Sequence, residues 1–258
     1  MSSEDILEQP APAADARLAY GSDPNQFGEI RLPQDKGPFP IVMNLHGGFW
    51  KARYDLLHAG HLCAALTQKG LATWNVEYRR VGNPGAGWPG SFEDIRNAYR
   101  FLAQLGKRYH LDSTKVLVMG HSAGGQLALC LAAHEPALTR VLSLAGVVDL
   151  DEAGKLHLGD NAVVAFLGGT ASAVPEHYRE ADPMAGTIPG TVTQWLIHGA
   201  TDTVVPSYFS RKYAELKKRR GEDVHYLEIA TADHFDLIDP HSRAWPKVES
   251  TVLHMMGE

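Results

Sequence analysis

Cysteine is scarce in this chain, with only Cys63 and Cys130 among 258 residues. Two cysteines are too few for a disulfide framework, and they form no C-x-x-C pair that would suggest a thiol-bound metal. Each stands in an apolar helical pattern, where a small buried thiol is ordinary. We therefore expect two buried, reduced cysteines.

Positive charge is also in deficit, since 24 lysines and arginines face 30 acidic residues and leave a net charge of −6. Such a chain offers no basic surface to nucleic acid. Its apolar runs are shorter than the roughly 20 residues that cross a bilayer. The opening MSSEDILEQPAPAAD lacks the basic head and apolar run of a signal peptide. We expect a cytoplasmic protein without a nucleic-acid or membrane partner, and a homo-oligomer stays possible.

Metal and nucleotide motifs are missing as well. The 13 histidines include no H-E-x-x-H pair, and no G-x-x-x-x-G-K segment is present to cradle a phosphate. We therefore expect no metal and no cofactor. The expected partner is a small-molecule substrate.

What the chain does contain is an alternation of short apolar runs and amphipathic helical stretches. Runs such as VLVMG, VLSLA and TQWLIH are apolar on both faces, as parallel strands are when helices cover both sides. The pattern predicts an α/β fold with a mostly parallel central sheet flanked by helices, after an antiparallel hairpin around GSDPN. We interpret residues 1–15 as a mobile arm, 16–258 as one domain, and 149–190 as a lid-like insertion with one or two short helices.

The stretch VLVMGHSAGGQ, residues 116–126, runs from an apolar strand into glycines around Ser122. An ordinary turn with a serine at the helix cap would explain part of this pattern. A nucleophilic serine explains more, because a sharp strand-to-helix turn leaves no room for side chains at Gly120 and Gly124. The strand before and the helix after are the context that this motif requires.

A serine hydroxyl needs a histidine to take its proton and a carboxylate to orient that histidine. In a fold of this kind the order is serine, acid, histidine. Asp202 follows the strand WLIHG, and His234 follows the strand VHYLEI, so both are expected at the sheet edge that carries Ser122. Asp149 is a second, lower-ranked candidate for the acid.

The reaction also needs N–H donors for the developing oxyanion. The sequence places Ala123 directly after the serine, and the glycines of MNLHGGFWK let the amides of Gly48 and Phe49 point inward. Aromatic side chains are expected to line the mouth of the site. They are Phe49, Trp50, Trp88, His121 and Phe235, with Phe166 or Tyr208 from the insertion or a helix start.

The motifs HGGFW and GHSAGG, with the loops of Asp202 and His234, resemble the α/β-hydrolase superfamily over nearly the whole chain. Within it, HGG-x-W followed by GHSAGG is similar to the kynurenine formamidase branch and to hormone-sensitive-lipase-type esterases. The resemblance implies the same triad and oxyanion donors. Phe49 stands where such lipase-type esterases usually carry a third glycine, and its ring is expected to narrow the pocket.

A narrow, ring-lined site favours small acyl groups. The leading hypothesis is therefore a serine hydrolase that cleaves short-acyl carboxylic esters through an acyl-enzyme. The alternative is an arylformamidase acting on N-formylkynurenine. A peptidase ranks lower because no accessory domain sorts peptides, and a non-catalytic binder ranks lower because all three triad residues are present.

Overall fold

The computed structural model describes residues 3–257. Met1 and Ser2 of the predicted arm, and Glu258 at the end of the predicted domain, lie outside the described residues. The strands are β1 (Ala16–Ala19), β2 (Phe27–Arg31), β3 (Phe39–Leu45), β4 (Ala72–Val76), β5 (Leu111–His121), β6 (Arg140–Leu144), β7 (Thr193–Gly199) and β8 (Val224–Ile229).

The α-helices are α1 (Gly60–Thr67), α2 (Gly90–Tyr109), α3 (Ala123–His134), α4 (Leu150–Lys155), α5 (Leu158–Leu167), α6 (Pro175–Ala181), α7 (Tyr208–Arg219) and α8 (Trp245–Met256). Two 3-10 helices cover Ser3–Leu7 and Leu56–Ala59. Over residues 3–257, no helix has the length and apolar character needed to cross a membrane.

The strands form one eight-stranded sheet in the order β1-β2-β4-β3-β5-β6-β7-β8. Strand β2 pairs antiparallel with both β1 and β4, and the six strands β3 to β8 are parallel to one another. This confirms the predicted hairpin and the mostly parallel sheet. Parallel strands end at the same edge, so the loops after β3, β5, β7 and β8 all open on one side of the molecule.

Two apolar cores cover the two faces of the sheet. Met43 of β3 belongs to the core beneath α2, α3 and the insertion, whereas its neighbour Val42 belongs to the core that includes α1 and α8. The same alternation separates Val118 from Leu117 in β5. Successive side chains of a strand point to opposite faces, so a strand covered on both faces is apolar throughout. This explains the continuous apolar runs of the sequence.

The insertion at 149–190 contains three helices, α4 to α6, rather than the predicted one or two. Helix α4 has only six residues, which is too short for a clear hydrophobic period, and it begins where Asp149 accepts a hydrogen bond from the Glu152 amide at 3.0 Å. The insertion has no core of its own. Its Val163 and Phe166 are buried in the core that also contains α3.

The predicted mobile arm is packed against the domain over its described residues. Ile6 is 1% exposed and belongs to the core on the α8 face of the sheet. Farther along, the Arg31 guanidinium donates to the Pro12 carbonyl at 2.7 Å. Over residues 3–15, this packing contradicts the predicted mobile arm, which rested on an acidic, Pro- and Ala-rich composition and gave no weight to one buried isoleucine.

Both cysteines are buried and unbridged, as expected. Burial raises the pKa of the Cys63 thiol to about 12 and also raises that of Cys130. Neither thiol is ionised at neutral pH, which excludes a reactive thiolate at either position.

Candidate active site

Ser122 occupies the sharp turn between β5 and α3. Its φ is 56° and its ψ is −117°, a combination that an L-residue adopts only where the surroundings enforce it. The amide of Ser122 donates to the Leu144 carbonyl at 2.8 Å, and its carbonyl accepts from the Val147 amide at 3.2 Å. The serine is thus held by the backbone on both sides of its strained position.

The glycines of this turn allow backbone segments to touch. A Cβ on Gly124 would lie 2.1 Å from the Leu45 carbonyl oxygen, and a Cβ on Gly120 would lie 2.2 Å from the Gly124 carbonyl oxygen. No side-chain carbon fits at such distances, so β3, β5 and α3 can meet here only with glycine at both positions.

Asp202 and His234 meet as the sequence predicted. Asp202 lies in the loop after β7 and His234 in the loop after β8, and these two parallel strands are neighbours in the sheet. His234 Nδ1 is 2.7 Å from Asp202 Oδ2. Oδ1 of Asp202 accepts the amides of Val204 and Val205, each at 2.8 Å. The carboxylate is therefore fixed by its own loop and directed at the imidazole.

A second histidine, which sequence reasoning missed, also supports this carboxylate. His198 is fully buried, with Nε2 3.2 Å from Asp202 Oδ2 and Nδ1 2.7 Å from Ser210 Oγ. Burial alone would raise the pKa of Asp202, but hydrogen bonds from His198 and His234 outweigh it and hold that pKa below its ordinary value. His198 lies near the end of β7, four residues before Asp202, and this position was the sequence signal from which its contact with Asp202 could have been predicted.

A cavity of about 240 Å³ is lined by both Ser122 and His234. The two side chains are not hydrogen-bonded to each other in the described structure, and catalytic hydrogen bonds of this kind often tighten only when substrate binds. The adjacent His121 links their segments, because its Nε2 is 2.9 Å from the His234 carbonyl oxygen. Burial, together with the nearby His234, holds the pKa of His121 well below its usual value. His121 is therefore a neutral imidazole in this link.

The loop after β3 brings backbone amides to the same cavity, which Gly48 and Phe49 line. His46 anchors this loop: it is fully buried, its Nε2 is 3.1 Å from Glu77 Oε1, and its carbonyl accepts the Tyr78 hydroxyl at 3.0 Å. Ala123 follows Ser122 directly and is the first residue of α3. The first amides of a helix have no acceptor within that helix.

Of the aromatic residues predicted at the mouth, Phe49, His121 and Phe235 line the cavity. Trp50 does not. It is fully buried in the core, where its ring stacks on Phe166 with centroids 4.5 Å apart and its Nε1 donates to Gln126 at 3.1 Å. A positive φ at two consecutive residues, Phe49 and Trp50, turns the second ring inward, and the sequence gives no sign of that bend.

Trp88 lies outside the cavity lining as well. Its ring stacks on Phe92 with centroids 5.0 Å apart, and its amide donates to the Phe166 carbonyl at 2.8 Å. The loop that carries Trp88 is therefore hydrogen-bonded to α5, and its ring does not line the mouth of the active-site cavity. Tyr208 is also absent from the lining and donates its hydroxyl to Glu152 at 3.2 Å.

The other acidic candidates have structural contacts. Asp149 caps α4 and is not a partner of His234 in the described structure. Glu77, directly after β4, pairs with Arg80 at 3.0 Å, while Arg79 pairs with Asp94 at 2.7 Å.

His58 lines the cavity and was not predicted to do so. It is 6% exposed, and its ring meets that of His46 edge-on with centroids 5.8 Å apart. Burial, with a smaller contribution from His46, lowers the pKa of His58 to about 3. The imidazole is therefore neutral inside the folded protein at neutral pH.

A mostly parallel sheet, with the serine turn after its central strand and the acid and histidine loops after two later strands, is the α/β-hydrolase fold. Solved structures share it. A truncated form of a carbohydrate esterase from gut microbiota has a TM-score of 0.82 at 17% identity, covering 97% of this chain and 100% of that one. The chain belongs to the BD-FAE family, a hormone-sensitive-lipase-like family of α/β-hydrolases, whose sequence profile matches residues 29–216.

Two curated relatives are similar in sequence. Esterase LipQ of Mycobacterium tuberculosis is 27% identical over 218 residues, which are 77% of this chain and 51% of LipQ. The versiconal hemiacetal acetate esterase of Dothistroma septosporum is 31% identical over 153 residues, which are 58% of this chain and 41% of that protein. The chain thus spans about half the length of these relatives or less.

The close approach of Gly124 to the Leu45 carbonyl predicts that one added methyl group strongly lowers the stability of the fold. Gly124→Ala should lower the free energy of unfolding by at least about 3 kcal/mol, because the new Cβ meets a backbone carbonyl that cannot move aside. Urea denaturation measures the change. Gly106→Ala, inside α2, is the control, since a Cβ there would lie 3.9 Å from the Leu111 carbonyl oxygen and alanine favours a helix by about 1 kcal/mol over glycine. Equal stability of the two variants would contradict the packing described.

The neutral His58 predicts a pH dependence of stability. The pKa of His58 is 6.5 in the unfolded chain and about 3 in the folded protein. Between these two pH values, His58 is protonated in the unfolded chain and neutral in the folded protein. The free energy of unfolding should therefore fall as pH falls, by up to about 1.4 kcal/mol per pH unit from this residue. Denaturation at several pH values should show a shallower slope for His58→Gln. The exposed His241→Gln is the control, and a His58→Gln slope equal to that of this control would refute the prediction.

Proposed function

We propose that this protein is a serine hydrolase that cleaves short-acyl carboxylic esters through an acyl-enzyme. One observation carries the proposal. Ser122, on a strained turn, and His234, which pairs with Asp202, line one cavity together with Gly48 and Phe49. The names of the relatives support it, since both the Mycobacterium and the Dothistroma proteins are esterases.

In the first step, His234 Nε2 accepts the Ser122 proton as the serine oxygen bonds to the ester carbonyl carbon. The carbonyl π electrons move to oxygen, where the amides of Gly48, Phe49 and Ala123 donate to the negative charge. When the tetrahedral adduct collapses, the bond to the alcohol oxygen breaks, and that oxygen takes the proton from His234. Asp202 stays ionised and stabilises the imidazolium.

In the second step, water replaces the alcohol. His234 accepts a proton from the water, whose oxygen attacks the acyl carbon held on Ser122. Collapse of the second adduct breaks the acyl–serine bond, and the serine oxygen recovers the proton from the imidazolium. The products are one carboxylic acid and one alcohol, and the enzyme returns to its starting state.

The size of the cavity favours small acyl groups. Its volume of about 240 Å³ is below the range of about 300–1,000 Å³ usual for sites that hold drug-sized ligands. The Phe49 ring adds bulk where a third glycine would leave space. It packs so closely against Gly159 that a Cβ there would lie 2.6 Å from the ring.

A formamidase is the second candidate, and the charges at the cavity favour it. Glu4, Lys51 and Arg53 line the space that Ser122 faces. An amino-acid group such as that of N-formylkynurenine carries one positive and one negative charge, which these side chains could pair. The chemistry of attack is unchanged, except that the leaving group is an arylamine and the acyl group is formyl.

Loss of the nucleophile tests the mechanism. Ser122→Ala should lower kcat for p-nitrophenyl acetate by about five to six powers of ten, as removal of a triad nucleophile does elsewhere. Spectrophotometric assay of nitrophenol release measures it, with unchanged thermal unfolding as the check on folding. The exposed Ser172→Ala should keep full activity. If Ser122→Ala kept a tenth of the original activity, the proposal that Ser122 is the nucleophile would be refuted.

The two substrate classes can be ranked on one preparation. We expect kcat/KM for p-nitrophenyl acetate and butyrate to exceed kcat/KM for N-formylkynurenine, because the cavity is small and its lining includes apolar rings. Parallel initial-rate assays measure both. A far larger value for the formamide would reverse the ranking, and a second assay with Arg53→Gln would then show whether the substrate carboxylate is bound there.

A further inference from the structure

The 3-10 helix Ser3–Leu7, here called the N-terminal turn, lies against the mouth of the candidate active site. Glu4 and Leu7 belong to the lining of the cavity that contains Ser122 and His234. These two positions are more than 110 residues from Ser122 in the chain, so their presence in the lining is a product of docking and not of local sequence.

The turn is docked by an apolar anchor. Ile6 is 1% exposed and packs in the core on the α8 face, while Leu7 is only partly buried and contacts the edge of that core. Removal of an isoleucine side chain from water stabilises the docked position of the turn. Between two residues of one short turn, the anchor therefore points into the core and its neighbour faces the cavity.

A hydrogen bond attaches the turn to the loop of His234. Ser3 Oγ donates to Asp233 Oδ2 at 2.5 Å. The other carboxylate oxygen of Asp233 accepts the amides of Phe235 at 2.9 Å and Asp236 at 3.1 Å. One carboxylate thus orders the backbone that follows His234 and holds the N-terminal turn beside it.

We propose that the N-terminal turn is a wall of the substrate cavity and that Leu7 limits the length of the ester chain accepted. The inference rests on the proposed esterase function and adds a specificity-determining residue to it. Leu7 contributes an apolar side chain at the rim, and the contacts of Ile6 and Ser3 keep it in place. A chain that extends beyond the cavity meets this side chain.

Two opposite substitutions test the wall in the chain of 258 residues. Leu7→Ala removes three carbons from the rim, and Leu7→Trp adds a ring. We expect the ratio of kcat/KM for p-nitrophenyl octanoate to that for the acetate to rise about tenfold in Leu7→Ala and to fall by a similar factor in Leu7→Trp. The acetate values themselves should change little, because a short acyl group does not reach the rim.

Leu57 supplies the matched control, since it is 47% exposed, lies in the adjacent 3-10 helix Leu56–Ala59 and is absent from the cavity lining. Leu57→Ala and Leu57→Trp should keep the original chain-length profile. Thermal unfolding of all four variants establishes that they fold. Because the Leu7 substitutions act in opposite directions, a general loss of stability cannot reproduce the expected pattern.

The outcomes separate the inference from the proposed function. If the unmodified protein hydrolyses the esters but both Leu7 variants keep the profile of the Leu57 variants, the wall is refuted and the esterase stands. If the unmodified protein hydrolyses no ester of the series, the proposed function fails and the inference fails with it. Opposite shifts in the two Leu7 variants support both.

Discussion

The site depends on one backbone constraint, the close contact of β3, β5 and α3 around Ser122. The Leu45 carbonyl oxygen lies 2.1 Å from the position of a Cβ on Gly124, and the Gly124 carbonyl oxygen lies 2.2 Å from the position of a Cβ on Gly120. This contact forces Ser122 to a φ of 56°. It also sets the loop after β3 beside the first turn of α3, so one packing feature presents the hydroxyl and the neighbouring amides together.

The polar groups behind the serine keep the Asp202 carboxylate ionised and hold the imidazoles around it in fixed positions. Asp202 receives two backbone amides and lies near two histidines, which keeps it a carboxylate despite its burial. His121 and His58 are held neutral by burial. In the proposed mechanism this arrangement leaves His234 as the group that gains and loses the proton.

The sequence predicted the fold and the convergence of Ser122, Asp202 and His234, because both follow from local signals. Buried parallel strands are apolar throughout, and residues just past their ends must lie at one edge of the sheet. The comparisons confirm the fold and the superfamily. The catalytic roles of the three residues stay predictions, although the geometry brings their loops to one cavity.

What the sequence did not predict depends on distant contacts or on backbone direction. Trp50 is adjacent to Phe49, yet two positive φ values send one ring to the core and the other to the cavity. The N-terminal turn docks beside a loop 230 residues away through Ser3 and Asp233, and no local pattern signals such a pairing. The same holds for His58, which reaches the cavity from a helix with no catalytic motif.

The most direct test of the central claim is to locate the adduct of a fluorophosphonate on the protein by peptide mass spectrometry. The account predicts one modified residue, Ser122, and a rate of modification at least about a hundredfold lower in His234→Ala, because the serine then lacks its base. An adduct on another residue, or modification of Ser122 at an equal rate without His234, would contradict it.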